Sequence, residues 1–297
     1  MIKKLFYNLF FCLYWFYKVM RKNYLISTDL DGTFLGHEDF DYKINKIIVS
    51  KIVQKNIPII FNTSKTFDEV IDIKNELKIY MPFIVENGSG IFFPTKENTT
   101  KKKYSRNDFQ LISSGPSRED INNIVNSNFS EFTAFFNFSY ELSKEDLKKI
   151  SGLPYTRLKN LLNRQFSELL VWKSNKKKLK DFEYKLSEFG LSLTKGARFL
   201  HLKGQSNKGT ALKELLDHMK NEKNVDNYCV IALGDSENDV EMLQISDHPF
   251  LIRIPNRDFI KFKGSNKARK SRNPAPIGWK ESILSLDYFN KLILEEI

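Results

Sequence analysis

Cysteine is scarce in this chain: Cys12 and Cys229 are the only two among 297 residues. So few thiols build neither a disulfide framework nor a zinc cage. They suit a reducing cytoplasm, which is the expected location. Long apolar runs are missing as well. Residues 9–17 form an unbroken apolar stretch of nine, far short of the roughly 20 that a bilayer-spanning helix needs. Lysines flank it as in a signal peptide, but no small-residue cleavage site follows. Three readings fit this segment: translation from Met20, a helix lying on a membrane or packed on the domain, or a signal. The first is preferred, and no stable membrane association is expected. Internal repeats and low-complexity tracts are absent. The net charge is +11, yet no recognisable nucleic-acid module accompanies it. The charge therefore reads as general lysine richness, and no nucleic-acid partner is expected. A positive field also gathers anionic small molecules.

What is present points to a folded protein of ordinary composition, 41% hydrophobic and 13% aromatic. The length allows a core domain and a second one. The most informative feature is an acidic turn after an apolar run, Tyr24-Leu25-Ile26-Ser27-Thr28-Asp29-Leu30-Asp31-Gly32-Thr33. Asp29 and Asp31 are two residues apart, so on an extended strand they point the same way. Two carboxylates there suit a hard cation such as Mg²⁺, and one of them suits attack on an electrophile. Alone, the string also reads as a turn or a helix cap.

More strand-end clusters follow. Ile57-Pro58-Ile59-Ile60-Phe61-Asn62 is apolar and ends in Thr63-Ser64-Lys65, before a helical stretch at 66–77. A hydroxyl there is placed to bind a phosphate oxygen with the helix amides, or simply to cap the helix. Lys208-Gly209-Thr210 opens another helical pattern. Tyr228-Cys229-Val230-Ile231-Ala232-Leu233 ends in Gly234-Asp235-Ser236-Glu237-Asn238-Asp239. Strands are expected at 24–29, 57–62, 83–86, 229–233 and 249–252, and a closing helix at 279–294.

In this order the clusters resemble the haloacid-dehalogenase-like phosphohydrolase superfamily, whose four motifs are matched by Asp29/Asp31, Thr63, Lys208 and Asp235/Asp239. The resemblance implies an α/β fold: a Rossmann-like core with a mainly parallel sheet, plus an inserted α+β cap. It implies Asp29 as nucleophile, forming an aspartyl-phosphate, and Asp31 as general acid and then base. Mg²⁺ would be bound by Asp29, the Asp31 carbonyl and Asp235, with support from Asp239. Phosphate contacts would come from Thr63, Ser64, Lys208 and Asn238. This agrees with what phosphoryl transfer requires, positioning and charge neutralisation around an anionic nucleophile.

Phe83-Ile84-Val85-Glu86-Asn87-Gly88 resembles the turn of the branch whose cap lies between the second and third motifs. Ser151-Gly152-Leu153 with Asn163-Arg164-Gln165-Phe166-Ser167-Glu168, then Gly196-Ala197-Arg198-Phe199-Leu200-His201-Leu202-Lys203-Gly204 and Ala275-Pro276-Ile277-Gly278-Trp279, resemble the family of mannosyl-3-phosphoglycerate and glucosyl-3-phosphoglycerate phosphatases. Leu169 stands where that family usually has proline, and Asn207 where it usually has aspartate. The expected core is 23–90 and 196–297, the cap 91–195, and 1–22 an apolar extension. Residues 96–115 read as a loop or linker. Expected substrate contacts are Lys65, Arg164, Ser167, Glu168, Arg198 and His201. Two arginines suit a carboxylate, and Glu168 suits sugar hydroxyls. His201 either touches substrate or ends a strand. The resemblance implies a small phosphorylated glycosyl-glycerate as partner and no protein partner. A broader sugar-phosphate phosphatase, such as one acting on sucrose phosphate, and a catalytically silent binding module are the alternatives.

Overall fold

The computed structural model describes residues 22–95, 103–196, 198–223, 225 and 227–294. The apolar extension therefore lies outside the described residues except for Lys22. The chain opens with β1 (Asn23–Thr28), α1 (Lys46–Gln54), β2 (Ile59–Asn62), α2 (Phe67–Leu77), β3 (Phe83–Val85), β4 (Gly90–Pro94) and β5 (Phe109–Ser114). It continues with α3 (Arg118–Asn128), β6 (Phe136–Phe138), α4 (Lys144–Ser151), α5 (Tyr155–Leu162), β7 (Ser167–Trp172), α6 (Lys176–Glu188), β8 (Leu191–Lys195) and β9 (Leu200–Gly204). It ends with α7 (Lys208–Lys223), β10 (Tyr228–Gly234), α8 (Val240–Gln244), β11 (His248–Arg253), β12 (Arg269–Pro274), α9 (Ile277–Leu284) and α10 (Asp287–Leu294).

The larger sheet has the order β12-β11-β10-β1-β2-β3-β4-β5. From β12 to β3 every pairing is parallel, and β4 and β5 add an antiparallel edge. Parallel strands covered on both faces should be apolar throughout, and these are. Ile26, Phe61, Phe83, Ile231 and Phe250 face α1, α2, α9 and α10. Their neighbours Leu25, Ile60, Ile84, Val230 and Leu251 face α7 and α8. Burying one such side chain contributes about 1.5–3 kcal/mol.

The smaller sheet, β6-β7-β9-β8, is antiparallel. One face packs on α3 and α6 through Ile121, Val125, Phe182, Leu186, Leu170 and Leu202. Leu169 and Phe199 meet Leu147, Leu158 and Leu161 of α4 and α5.

Strand pairing crosses positions 91 and 196. β4 and β5 belong to the larger sheet and β9 to the smaller one. Two stretches read differently from expectation. The polar tract 96–115 contains β5, because Phe109 buries against Phe67 and Phe83 while its polar neighbours remain at the sheet edge. The closing segment is two helices rather than one. At the break, the Ser285 hydroxyl donates to the Ser282 carbonyl, a local bond that competes with helix continuation.

Candidate active site

Three neighbouring parallel strands carry the motif residues out of their carboxyl ends. Asp29 follows β1, Thr63 follows β2 and Asp235 follows β10, and β1 pairs with both of the others. Ligands bind at this edge of open α/β sheets. The register is fixed locally: the Asp29 N–H donates to the Leu233 carbonyl at 3.0 Å. Trp279, fully buried, donates its indole N–H to the Thr28 hydroxyl at 3.1 Å and so braces the end of β1. Gly32 turns the chain at φ +80°, and a Cβ there would stand 2.8 Å from an Asp235 carboxylate oxygen. Only glycine combines that backbone with that closeness.

Asp29, Asp235 and Asp239 are buried and bring one carboxylate oxygen each to within 4.8 Å of one another. Lys208, the first residue of α7, is fully buried. Its Nζ lies 2.5 Å from Asp29 Oδ1 and 2.6 Å from Asp239 Oδ1. The other Asp239 oxygen accepts the N–H groups of Asp235 and Ser236 at 2.9 and 3.0 Å. Burial pushes the Asp29 carboxyl up to about 7; Lys208 pulls it down, while Asp239 and Asp31 push it up. Burial, then Asp239 and Asp29, raises Asp235 well above the carboxylate range, against the Thr33 hydroxyl at 2.8 Å. Burial depresses the Lys208 ammonium, but Asp239 and Asp29 overcome it and leave its pKa raised. Three crowded carboxylates and one ammonium are short of positive charge. Their oxygens are the donor set of a hard divalent cation, so the cluster fits a metal.

Asp31 stands apart from this cluster. One of its oxygens pairs with Lys65 Nζ at 2.9 Å, and the other, Oδ1, is buried with no partner among the described residues. Lys65 also faces Glu69 at 3.5 Å. These two carboxylates hold its pKa raised despite the opposing pull of burial. Asp31, Ser64 and Lys65 form one wall of a cavity of about 80 Å³. Arg164, Arg198, Phe199 and His201 form the facing wall. Arg198 spans 5.3 Å to the Phe40 ring and donates to the His37 carbonyl at 3.3 Å. Burial, with Arg164, Lys203 and Lys208 adding to it, pushes the His201 imidazole well below its usual range. The cavity thus holds a neutral imidazole beside three cations.

The other expected residues do not all line that cavity. Thr63 is fully buried, and its hydroxyl accepts the Lys65 N–H at 3.2 Å. Asn238 donates to Asn87 at 2.9 Å and accepts from Ser236 at 2.6 Å. It lines a separate hollow that Lys208 also borders. Glu168 does not line the cavity. Strand residues alternate faces, and Leu169 takes the cavity side of β7. Glu168 points instead under α3, where it pairs with Arg118 at 2.5 Å and accepts from Ser139 at 3.1 Å. Its side chain is fully buried. Ser167 does not line the cavity either, because its hydroxyl is enclosed by Arg164 and Glu86.

The sequence reading gave no site role to Glu86, His37, Phe40 or Glu69. Glu86 carried a signal, an acid in an apolar strand end. His37 and Phe40 carried none, since a loop on one domain meets the other only in three dimensions.

The haloacid dehalogenase-like hydrolase family matches residues 26–253. A glucosyl-3-phosphoglycerate/mannosyl-3-phosphoglycerate phosphatase of Persephonella marina is 34% identical over 87% of this chain and 95% of its own length. A mannosyl-3-phosphoglycerate phosphatase of Pyrococcus furiosus is 32% identical over 77% and 90%. Among solved structures, a phosphatase of the haloalkanoate superfamily from Bacteroides thetaiotaomicron superposes with a TM-score of 0.63 at 17% identity, covering 90% of this chain and 95% of that one. Among the described residues, no helix is long and apolar enough to cross a membrane.

Proposed function

Since the chain belongs to the haloacid dehalogenase-like hydrolase family, we propose that it hydrolyses the phosphate monoester of mannosyl-3-phosphoglycerate or glucosyl-3-phosphoglycerate, in the cytoplasm and with Mg²⁺. The observation that carries this reading is the cavity walled by Lys65, Arg164 and Arg198 beside the acidic cluster. A glycosyl-phosphoglycerate brings a phosphate, a carboxylate and sugar hydroxyls. A second anion needs cations that the phosphate does not use, and planar guanidinium groups suit a carboxylate.

In this reading an Asp29 oxygen attacks phosphorus and the bond from phosphorus to the glycerate oxygen breaks. Asp31 gives that oxygen a proton. The Oδ1 of Asp31, buried and with no partner among the described residues, supports this role. Asp31 then takes a proton from water, whose oxygen attacks the aspartyl-phosphate. Inorganic phosphate leaves and Asp29 is restored. Lys208 holds a phosphate oxygen while offsetting the charge of Asp29 and Asp239, with Thr63 and Ser64 supporting the phosphate from the turn after β2. Asp29, Asp235 and Asp239 would hold the Mg²⁺, which supplies charge neutralisation for an anion approaching an anion. Residues 116–204, which carry the smaller sheet, act as the specificity cap over a core of 23–115 and 205–294.

The test is phosphate release from both glycosyl-3-phosphoglycerates, with 3-phosphoglycerate and sucrose 6-phosphate as competitors. The reading requires kcat/KM for a glycosyl compound to exceed that for the other two. A preference for sucrose 6-phosphate or 3-phosphoglycerate would overturn it.

A further inference from the structure

Glu86 is a fully buried carboxylate that the proposed chemistry does not use. It follows β3 with φ +51°, and Asn87 and Gly88 continue at +59° and +90°. Non-glycine residues rarely adopt that conformation, and where they do the surroundings hold them there. Here the surroundings are the turn after β2: Glu86 N–H donates to the Lys65 carbonyl at 3.0 Å and Asn87 N–H to the Thr63 carbonyl at 2.9 Å. The Glu86 side chain reaches the other way, into the smaller-sheet domain. It accepts the Gln165 and Phe166 N–H groups at 2.9 and 3.1 Å and the Ser167 hydroxyl at 2.5 Å. Arg164 Nε lies 3.6 Å away.

Arg164 is the partner that gives this clasp a function. Its side chain is 1% exposed, and a buried guanidinium needs a compensating anion and acceptors for its donors. Glu86 provides the charge, Ser167 accepts from Nε at 2.8 Å, and the Ser64 carbonyl accepts from Nη2 at 2.7 Å. Two of those three partners belong to the larger-sheet domain, whereas Arg164 belongs to the smaller. The guanidinium can face the cavity in this geometry only while the two domains are seated on each other. A ligand that binds the seated arrangement better than the open one stabilises it.

We propose that Glu86 is a positioning residue that clasps the cap to the core and aims Arg164 into the cavity, so that the enzyme selects phosphate esters carrying a carboxylate. This rests on Arg164 being the carboxylate's partner in the reading above. A phosphate ester with a carboxylate reaches Arg164 and seats the cap. One without it gains nothing from the clasp.

Glu86→Gln keeps the size of the side chain but replaces one accepting oxygen with a donor and removes the charge. It is compared with wild type, with Arg164→Ala and with the double variant, on glucosyl- and mannosyl-3-phosphoglycerate and on p-nitrophenyl phosphate, which has no carboxylate. Amide exchange of the segment containing Gln165 and Phe166 is followed in parallel. For the glycosyl compound, Glu86→Gln should raise KM about tenfold or more with little change in kcat, and should add nothing in the Arg164→Ala background. The KM for p-nitrophenyl phosphate should stay unchanged, which also shows that the variant is folded. The Gln165 and Phe166 amides should exchange faster. An equal KM rise on both classes of substrate, additive effects in the double variant, or unchanged exchange would overturn the proposal. Should wild type hydrolyse neither glycosyl compound, the substrate reading fails, and the exchange result alone decides the clasp.

Discussion

Replacing Lys208 with methionine removes one ammonium and leaves the volume nearly intact. The ammonium is fully buried, 2.5 Å from Asp29 and 2.6 Å from Asp239. Without it, Asp29, Asp235 and Asp239 crowd together and two of them lose the ammonium they bond. Removing one partner of a buried ion pair costs about 3–5 kcal/mol. A folded domain holds only about 5–15 kcal/mol in total, so the urea midpoint of the metal-free variant should fall clearly. The pH dependence has a definite sign. Burial already pushes Asp29 up to about 7 against the pull of Lys208, and losing the lysine raises it further. A carboxyl whose pKa is raised on folding contributes stability that is complete below its unfolded pKa and is lost as pH rises through the folded value. In EDTA the deficit of the variant is therefore largest near pH 8 and shrinks toward pH 5, where Asp29 is protonated. Mg²⁺ should recover part of the stability by replacing the lost charge. It should not recover turnover, which falls about 10²–10³-fold on losing one preorganised donor to the transition state. A variant as stable as wild type in EDTA at pH 8, or one whose deficit grows on acidification, would refute this electrostatic account.

Three other outcomes follow from the same geometry. Chelation should abolish phosphate release and Mg²⁺ restore it; in EDTA the wild-type Tm should fall as pH rises from about 4 to 7, because the unfolded chain sheds the proton that buried Asp29 keeps up to about 7. Gly152→Ala should raise KM with kcat nearly unchanged, because Gly152 has φ +67° and a Cβ there would stand 2.5 Å from Arg198 Nη1, at the cavity wall. Steady-state kinetics on the glycosyl substrate check it. Glu168→Gln should cost about 2–3 kcal/mol of stability by weakening the pairing of a part-buried Arg118. Its KM should stay at the wild-type value, since Glu168 lies on the far face of β7; a large KM rise in a folded variant would put Glu168 back at the substrate.

Much of the core was legible because each of its signals is local. An apolar run ending in Asp, Thr or Asp-x-x-x-Asp marks a parallel strand and its carboxyl-end loop at once, and β1, β2 and β10 fall within a residue or two of where the pattern put them. Thr66 caps α2 with Glu69 completing the box, which is also written in adjacent residues. The cap was less legible. The string around Arg164 and Ser167 was visible, but which face of β7 looks at the cavity depends on a register set by β9, some 30 residues on. A one-residue difference in phase decides whether Glu168 or Leu169 meets the ligand. The sheet that β4 and β5 join was hidden for a similar reason, since their place shows only in the pairing of β4 with β3 and of β5 with β4. Glu86 illustrates the same limit, because its partners lie 79–81 residues away.

The most direct test of the central claim is phosphate release from mannosyl- and glucosyl-3-phosphoglycerate by the purified protein with Mg²⁺, beside Asp29→Asn. The account requires rapid release from at least one of the two by wild type and none above background by the variant, whose amide keeps the shape of the carboxylate but is not a nucleophile. Release that survives in Asp29→Asn, or no release from either compound by wild type, would contradict it.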